Sequence, residues 1–275
     1  SILRFFFDTL LIVQIRKPSM QNGVAVIRLD GIGDFILWLD TAREFRRLYP
    51  NDKITLICNQ ACESVAKLLP YWDDVIAINL PNFINPGYRW EVLSKIRRRG
   101  YKIAIQTTYS RGFSTSDSLI RATGAQERIG SIGDLSNISA WKKKISDKWY
   151  TKLIQASPVP IMELQRNAEF MRGLGGHPFS ANVPKLPHLM KLPSRLKFDK
   201  AYFIIAPGGS WSGKFWPAER FAHILTKIVE ATGWLPVLCG SSGERTICDN
   251  VLTRSTDKGL NIAGETSLPE LVEVI

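Results

Sequence analysis

The chain has 275 residues, of which 45% are hydrophobic, 10% aromatic and 22% charged, a composition that excludes intrinsic disorder, collagen and a disulfide-stapled scaffold. Its length fits two domains. The formal net charge of +11 is lopsided: residues 1–200 carry 30 basic and 17 acidic side chains, net +13, and residues 201–275 carry 6 and 8, net −2. A basic first part points to an anionic partner, whether nucleic acid, an acidic membrane surface or a phosphorylated substrate.

Residues 1–22 open on an apolar helix. Arg4 and Asp8 break its apolar run and no small-residue cleavage site follows, so it is neither a signal peptide nor a span. Two readings remain: a helix packed on the folded body, or one lying at a membrane surface through residues 1–20. From Gly23 strands and helices alternate. The pattern predicts strands at Val24–Leu29, Lys53–Cys58, Val75–Ile78 and Lys102–Gln106, with helices at Phe35–Tyr49, Cys62–Leu69 and Trp90–Arg99. It loosens after Ser110, with a helix to Thr123, a short strand near Arg128 and a helix at Glu163–Leu174. Four prolines make residues 178–200 a linker. The alternation then restarts, with strands at Ala201–Ala206, Leu235–Cys239 and Gly259–Ile262 and helices at Pro217–Thr232, Gly243–Arg254 and from Ser267.

The expected organisation is thus an α/β chain with one domain over residues 23–177, a linker over 178–200 and a second domain over 201–275, the two facing a cleft. The second holds only three strands and stops within a helix at Ile275, so it is expected to be truncated. Cys58, Cys62, Cys239 and Cys248 lack zinc-type spacing, and His177, His188 and His223 lie far apart, so a reducing cytoplasm is expected and a metal site is not.

Two glycine-rich turns follow first strands. In Arg28-Leu-Asp-Gly-Ile-Gly-Asp34, Gly31 and Gly33 allow positive φ and close approach of a ligand to the backbone, and the turn leads into a helix N-terminus that favours an anion. Asp34 sits where a helix N-cap is expected; its other role is a carboxylate able to take a proton from a hydroxyl, with Asp30 as the rival. In Pro207-Gly-Gly-Ser-Trp-Ser-Gly-Lys-Phe-Trp-Pro217, amides of Gly208 and Gly209, the Ser210 and Ser212 hydroxyls and the Lys214 ammonium can hold a diphosphate. Trp211 and Trp216 read equally as core. Later loops offer Ser241 or Glu244 for a ribose hydroxyl and Thr266 for the donor, with helix capping as the competing role for each.

The first motif, the Pro-Gly-Gly-Ser-Trp…Lys-Phe-Trp-Pro loop and Asn261-Ile-Ala-Gly-Glu-Thr-Ser-Leu268 occur in this order, and together they resemble the bacterial heptosyltransferases of glycosyltransferase family 9. The resemblance covers residues 23–275. It implies a GT-B architecture of two Rossmann-like domains. It also implies inverting, metal-independent transfer of a sugar, heptose from ADP-heptose, onto a lipopolysaccharide-core or related glycolipid. By the same resemblance Asp34 is the base, Lys214 contacts the donor phosphates, and no cofactor is needed because the nucleotide-sugar is a substrate. A family segment of the type Asp-(Ser/Thr)-Gly-x-x-His, which contacts the donor, would follow the last helix, beyond Ile275.

The basic surface then has an anionic acceptor as its expected partner, with Arg111, Lys142, Lys143, Lys144, Lys148 and Arg97–Arg99 as candidates beside the Gly31 and Gly33 backbone. Trp141, Trp149 and Tyr150 could stack on sugar rings or pack in the core. The enzyme is expected to be cytoplasmic and peripheral on the inner membrane. Alternatives are a family member using another nucleotide-sugar, such as a UDP-N-acetylhexosamine, and a basic nucleic-acid-binding protein; no nucleic-acid motif supports the second.

Overall fold

The computed structural model describes residues 2–16, 18–175, 178–209, 213, 215–255 and 258–275. The chain divides into two compact units, residues 1–187 and 188–275. The first begins with α1 (Ile2–Gln14) and continues through β1 (Val24–Arg28), α2 (Ile32–Leu48), β2 (Ile54–Asn59), α3 (Glu63–Ala66), β3 (Asp74–Ile78), α4 (Pro86–Arg99) and β4 (Ile103–Gln106). It ends with α5 (Ser116–Thr123), β5 (Glu127–Ser131), α6 (Ala140–Ser146), β6 (Lys152–Ile154) and α7 (Glu163–Gly175). All pairings are parallel, in the order β3-β2-β1-β4-β5-β6. This is the doubly wound order, and the order in which strands are added across the sheet reverses between β1 and β4, where such sheets bind ligands outside the carboxyl ends.

Central β1 is buried on both faces, which is why Val24–Ile27 reads as a continuous apolar run. One face packs Ala25 and Ile27 with Leu93 and Ile96 of α4, Leu119 and Ile120 of α5, and Leu11 of α1. α2 contributes Phe35, Trp38 and Phe45, with Trp38 stacked on Trp72 at 6.2 Å. α4 starts cleanly because the Asn85 side chain accepts from the Gly87 and Tyr88 amides ahead of Pro86, and it stops at Gly100.

α1 is a helix of the folded body on one face. Asp8, only 2% exposed, pairs with buried Arg89 at 2.6 Å. Its opposite stripe, Leu3, Phe6, Leu10 and Val13, is 59–85% exposed. Among the described residues no helix is long and apolar enough to cross a membrane.

The second unit holds β7 (Tyr202–Ile205), α8 (Ala218–Thr232), β8 (Leu235–Leu238), α9 (Arg245–Arg254), β9 (Leu260–Asn261) and α10 (Leu268–Val274), again with parallel pairing in the order β7-β8-β9. Ile205 and Leu238 pack on Ala222 and Leu225 of α8 and Cys248 and Val251 of α9, while Val237 and Ile262 face Leu196 and Val274. Two elements escaped the sequence pattern: α6, because Trp141-Lys-Lys-Lys144 has little apolar period, and β6, which is only three residues long.

Candidate active site

The site is built on the carboxyl edge of the first sheet. The helix after β1 starts at Ile32, three residues earlier than the apolar pattern predicts, with Gly31 as an N-cap that offers no side chain. Asp34 is therefore a first-turn residue of α2, and the predicted N-cap role falls away. Gly31 has φ −66°, and neither it nor Gly33 adopts positive φ, so conformation does not demand glycine at either position. A Cβ at either would meet nothing within 4 Å, so both glycines leave the turn open to a ligand.

Asp30, Asp34 and Glu163 converge on a cavity of about 220 Å³ that is also lined by Thr108, Tyr109 and Asn137. Arg28, 1% exposed at the end of β1, decides how these carboxylates differ. Its Nε lies 2.6 Å from Asp30 Oδ2 and its Nη2 donates to Glu163 Oε1 at 2.8 Å. Nη1 donates to Asn167 Oδ1 at 3.1 Å. The guanidinium also lies over the Trp38 ring, 5.7 Å from its centroid. Asp30 accepts from Thr108 Oγ1 at 3.2 Å, and burial pushes its carboxyl above the usual carboxylate range despite the pull of Arg28. Asp34 is exposed, and among the described residues its carboxylate has no ion pair or hydrogen bond; only its backbone carbonyl is touched, by Arg28 Nη2 at 3.4 Å. One cation is thus shared by two carboxylates, and the third is left without an ion pair among the described residues.

In the second unit the loops after β7, β8 and β9 are bound to one another. Ser241 donates to Glu244 through its amide at 2.6 Å and its hydroxyl at 2.7 Å, and the Gly209 amide also donates to this carboxylate. These bonds, Ser241 first, hold Glu244 below the usual carboxylate range. A Cβ at Gly208 would stand 2.0 Å from Glu244 Oε1. Gly208 therefore makes room for Glu244, and Glu244 and Ser241 cap a helix, where the sequence left a ribose contact open. Ser267 caps α10 with Glu270, and Thr266 stands half-buried just before it. Ser210, Trp211, Ser212 and Lys214 lie outside the described residues. Trp216 is 39% exposed and packs edge-on against Phe221, so it is not the core residue that was the alternative to ligand binding.

The family description "Glycosyltransferase family 9 (heptosyltransferase)" matches residues 89–275. The chain belongs to glycosyltransferase family 9. No curated protein matches it at a significant level. Its fold is similar to that of a family 9 glycosyl transferase from Veillonella parvula, at 19% identity over 92% of this chain and 72% of that one, with a TM-score of 0.72. Two Escherichia coli structures are similar as well. The ADP-heptose LPS heptosyltransferase II is 18% identical over 92% and 76% of the two chains, with a TM-score of 0.65. The heptosyltransferase WaaC with ADP-2-deoxy-2-fluoro heptose is 12% identical over 91% and 79%, with a TM-score of 0.66. The α/β fold of GT-B type and a glycosyltransferase activity follow from the family.

In this family 9 glycosyltransferase the basic candidates part ways. Arg111 is turned inward, 1% exposed, over the Tyr150 ring at 4.7 Å and paired with Asp147 and Asp117; it is a structural cation, not the acceptor ligand the sequence predicts. Tyr150 is core, donating to Asp117 Oδ1 at 2.6 Å. Lys143 pairs with Asp147 at 2.8 Å. Arg97 donates to the Ile15 carbonyl and Arg99 pairs with Asp74. Lys144 and Lys148 are exposed, and Lys142 lines a second cavity. Sequence reasoning missed Glu163, Thr108, Tyr109 and Asn137. Thr108 was findable, because a residue just past β4 must stand beside one just past β1 once those strands are neighbours.

Proposed function

We propose that this enzyme transfers a heptose from ADP-heptose to a hydroxyl of an anionic glycolipid, a lipopolysaccharide-core sugar, with inversion and without a metal. The observation that carries the reading is Asp34: a carboxylate without a partner among the described residues, on an open cavity whose other carboxylates both pair with Arg28. Asp34 takes the acceptor O–H proton, the oxygen forms the new bond to the anomeric carbon, and the bond to the diphosphate breaks on the opposite face with the electron pair leaving on phosphate. Transfer passes through an oxocarbenium-like state, and charge on the leaving diphosphate needs fixed donors. By family resemblance these are Lys214, with Ser210, Ser212 and the amides of Gly208 and Gly209. The relatives support the donor: structures of WaaC hold ADP and an ADP-heptose analogue.

The exposed stripe of α1 supports seating on a membrane. Its one acidic residue is buried in an ion pair, and exposed Arg16 follows the stripe. Four free, buried cysteines fit the reducing side of that membrane. The deciding experiment is a transfer assay offering ADP-heptose, UDP-N-acetylglucosamine and GDP-mannose with a lipopolysaccharide-core acceptor. Turnover with ADP-heptose, lost in Asp34→Asn, is the expected result; equal turnover by that variant overturns the assignment of the base.

A further inference from the structure

The cavity at Asp34 does not stand alone. A larger one, of about 440 Å³, lies between the loop that follows β4 and the loop that follows β5. Asn137 lines both cavities, and its side-chain amide donates to the Ser110 carbonyl at 2.9 Å, which fixes the shared wall. The larger cavity has the mixed surface that a sugar ring requires: an apolar patch at Leu135, 57% exposed, beside the hydroxyls of Ser114, Ser136 and Ser139. Ser139 precedes α6 but makes no side-chain capping bond, so its hydroxyl is uncommitted.

One cation faces this surface. Lys142 lines the cavity, its ammonium 5.4 Å from the centroid of the Trp141 ring, which is itself 51% exposed. Among the described residues Lys142 has no carboxylate partner, whereas Lys143 next to it is held by Asp147 and Arg111 by Asp147 and Asp117. Of the acidic side chains of this region, Asp117 and Asp147 are thus spent on other cations, and Asp134 accepts from the Ser110 and Ser136 hydroxyls at 3.2 and 2.6 Å. An ammonium without a carboxylate partner, beside an exposed ring on a cavity also lined by serines, recognises a sugar bearing an anion.

Building on the reading of Asp34 as the base, we propose that the 440 Å³ cavity is an acceptor subsite for a phosphorylated sugar, with Lys142 engaging the phosphate and Asn137 separating it from the sugar whose hydroxyl reacts. Lys142 is then a specificity-determining residue and takes no part in the proton transfer. The subsite makes the enzyme select acceptors already phosphorylated next to the reacting sugar, so a sugar kinase must act before it.

The test uses the full chain, 15N-labelled, titrated with glucose 6-phosphate, glucose and inorganic phosphate. Glucose 6-phosphate is expected to shift amides of Gly112–Thr115 and Leu135–Ser139 and to bind more tightly than either glucose or phosphate. Lys142→Gln is expected to weaken it about tenfold, the loss of one charge-assisted hydrogen bond, and to leave glucose unchanged. No shift in these segments, or equal binding to wild type and Lys142→Gln, overturns the subsite. Phosphate binding as tightly as glucose 6-phosphate overturns its sugar specificity. Asp34→Asn is expected to bind the probe as wild type does, so a failed transfer assay tests the base and a failed titration tests the subsite.

Discussion

Arg28 and Asp30 stand two residues apart with their charges 2.6 Å from one another, and the same guanidinium reaches Glu163 from the far end of the first unit. Asp34, next along the chain, receives no such partner among the described residues, and that difference separates one exposed, unpaired carboxylate from two paired ones. A base must be ionised, reachable and unpaired, and of the three only Asp34 is exposed and unpaired. Asp34→Asn keeps the side-chain volume and removes the proton acceptor. Transfer is expected to fall by roughly 10²–10⁴-fold with donor affinity unchanged. Single-turnover rates beside calorimetric titration with ADP-heptose check this, and parallel loss of both would make Asp34 a binding residue.

Asp30 gives a pH dependence with a defined sign. Burial raises its carboxyl above the ordinary value of 3.8, so the folded chain holds that proton more tightly than the unfolded one. Its contribution to stability is fully present below 3.8 and is lost as pH rises through the native value. Urea unfolding of wild type and Asp30→Asn, run from pH 3 to 7, should show the stability difference moving in favour of the variant across this window. A difference moving the other way would mean that the Arg28 ion pair outweighs burial.

Much of the scaffold was legible because its signals are local. The buried run of β1, the Asn85-Pro86 start of α4 and the glycine stop at Gly100 are read within a few residues of one another. The site was legible only where it touched such a signal, as at Asp34 in the turn after β1. Glu163 opens α7, 135 residues from Arg28, and no periodicity encodes that pairing. Arg28 itself looks like an interruption in an apolar strand, yet it organises the cavity. The start of α2 was misplaced for a related reason: glycines at 31 and 33 offer neither a capping side chain nor an apolar period, so the pattern begins only at Phe35. Arg111 failed as an acceptor ligand because a lone arginine in a loop gives no sign of whether Asp117 and Asp147 will enclose it.

In the second unit Gly208 is the position where one methyl group should matter most. An alanine Cβ there falls 2.0 Å from Glu244 Oε1, so Glu244 must swing away and release Ser241. Gly208→Ala should cost about 1–3 kcal/mol of stability. Glu244→Ala alone should also destabilise, through loss of the cap, but the double variant should cost less than the sum, because the clash and the cap share one carboxylate. Thermal unfolding of the four proteins closes the cycle, and strict additivity would separate Gly208 from Glu244.

The two faces of α1 should respond oppositely. Asp8 and Arg89 form an ion pair with both side chains no more than 3% exposed, so Asp8→Ala leaves a buried guanidinium unpaired and is expected to cost about 3 kcal/mol or to release the helix. Either outcome appears as a lowered urea midpoint or as faster proteolysis near Gln14. Leu10→Glu lies on the opposite stripe, where Leu10 is 63% exposed, and its effect on stability should stay within about 0.5 kcal/mol. That variant should nevertheless lose co-sedimentation with phosphatidylglycerol vesicles, because the charge removes apolar burial at the interface and repels the anionic surface. If Leu10→Glu sediments like wild type, the stripe does not meet the bilayer. If Asp8→Ala is as stable as wild type, the helix is not held by the pair that buries its only acid.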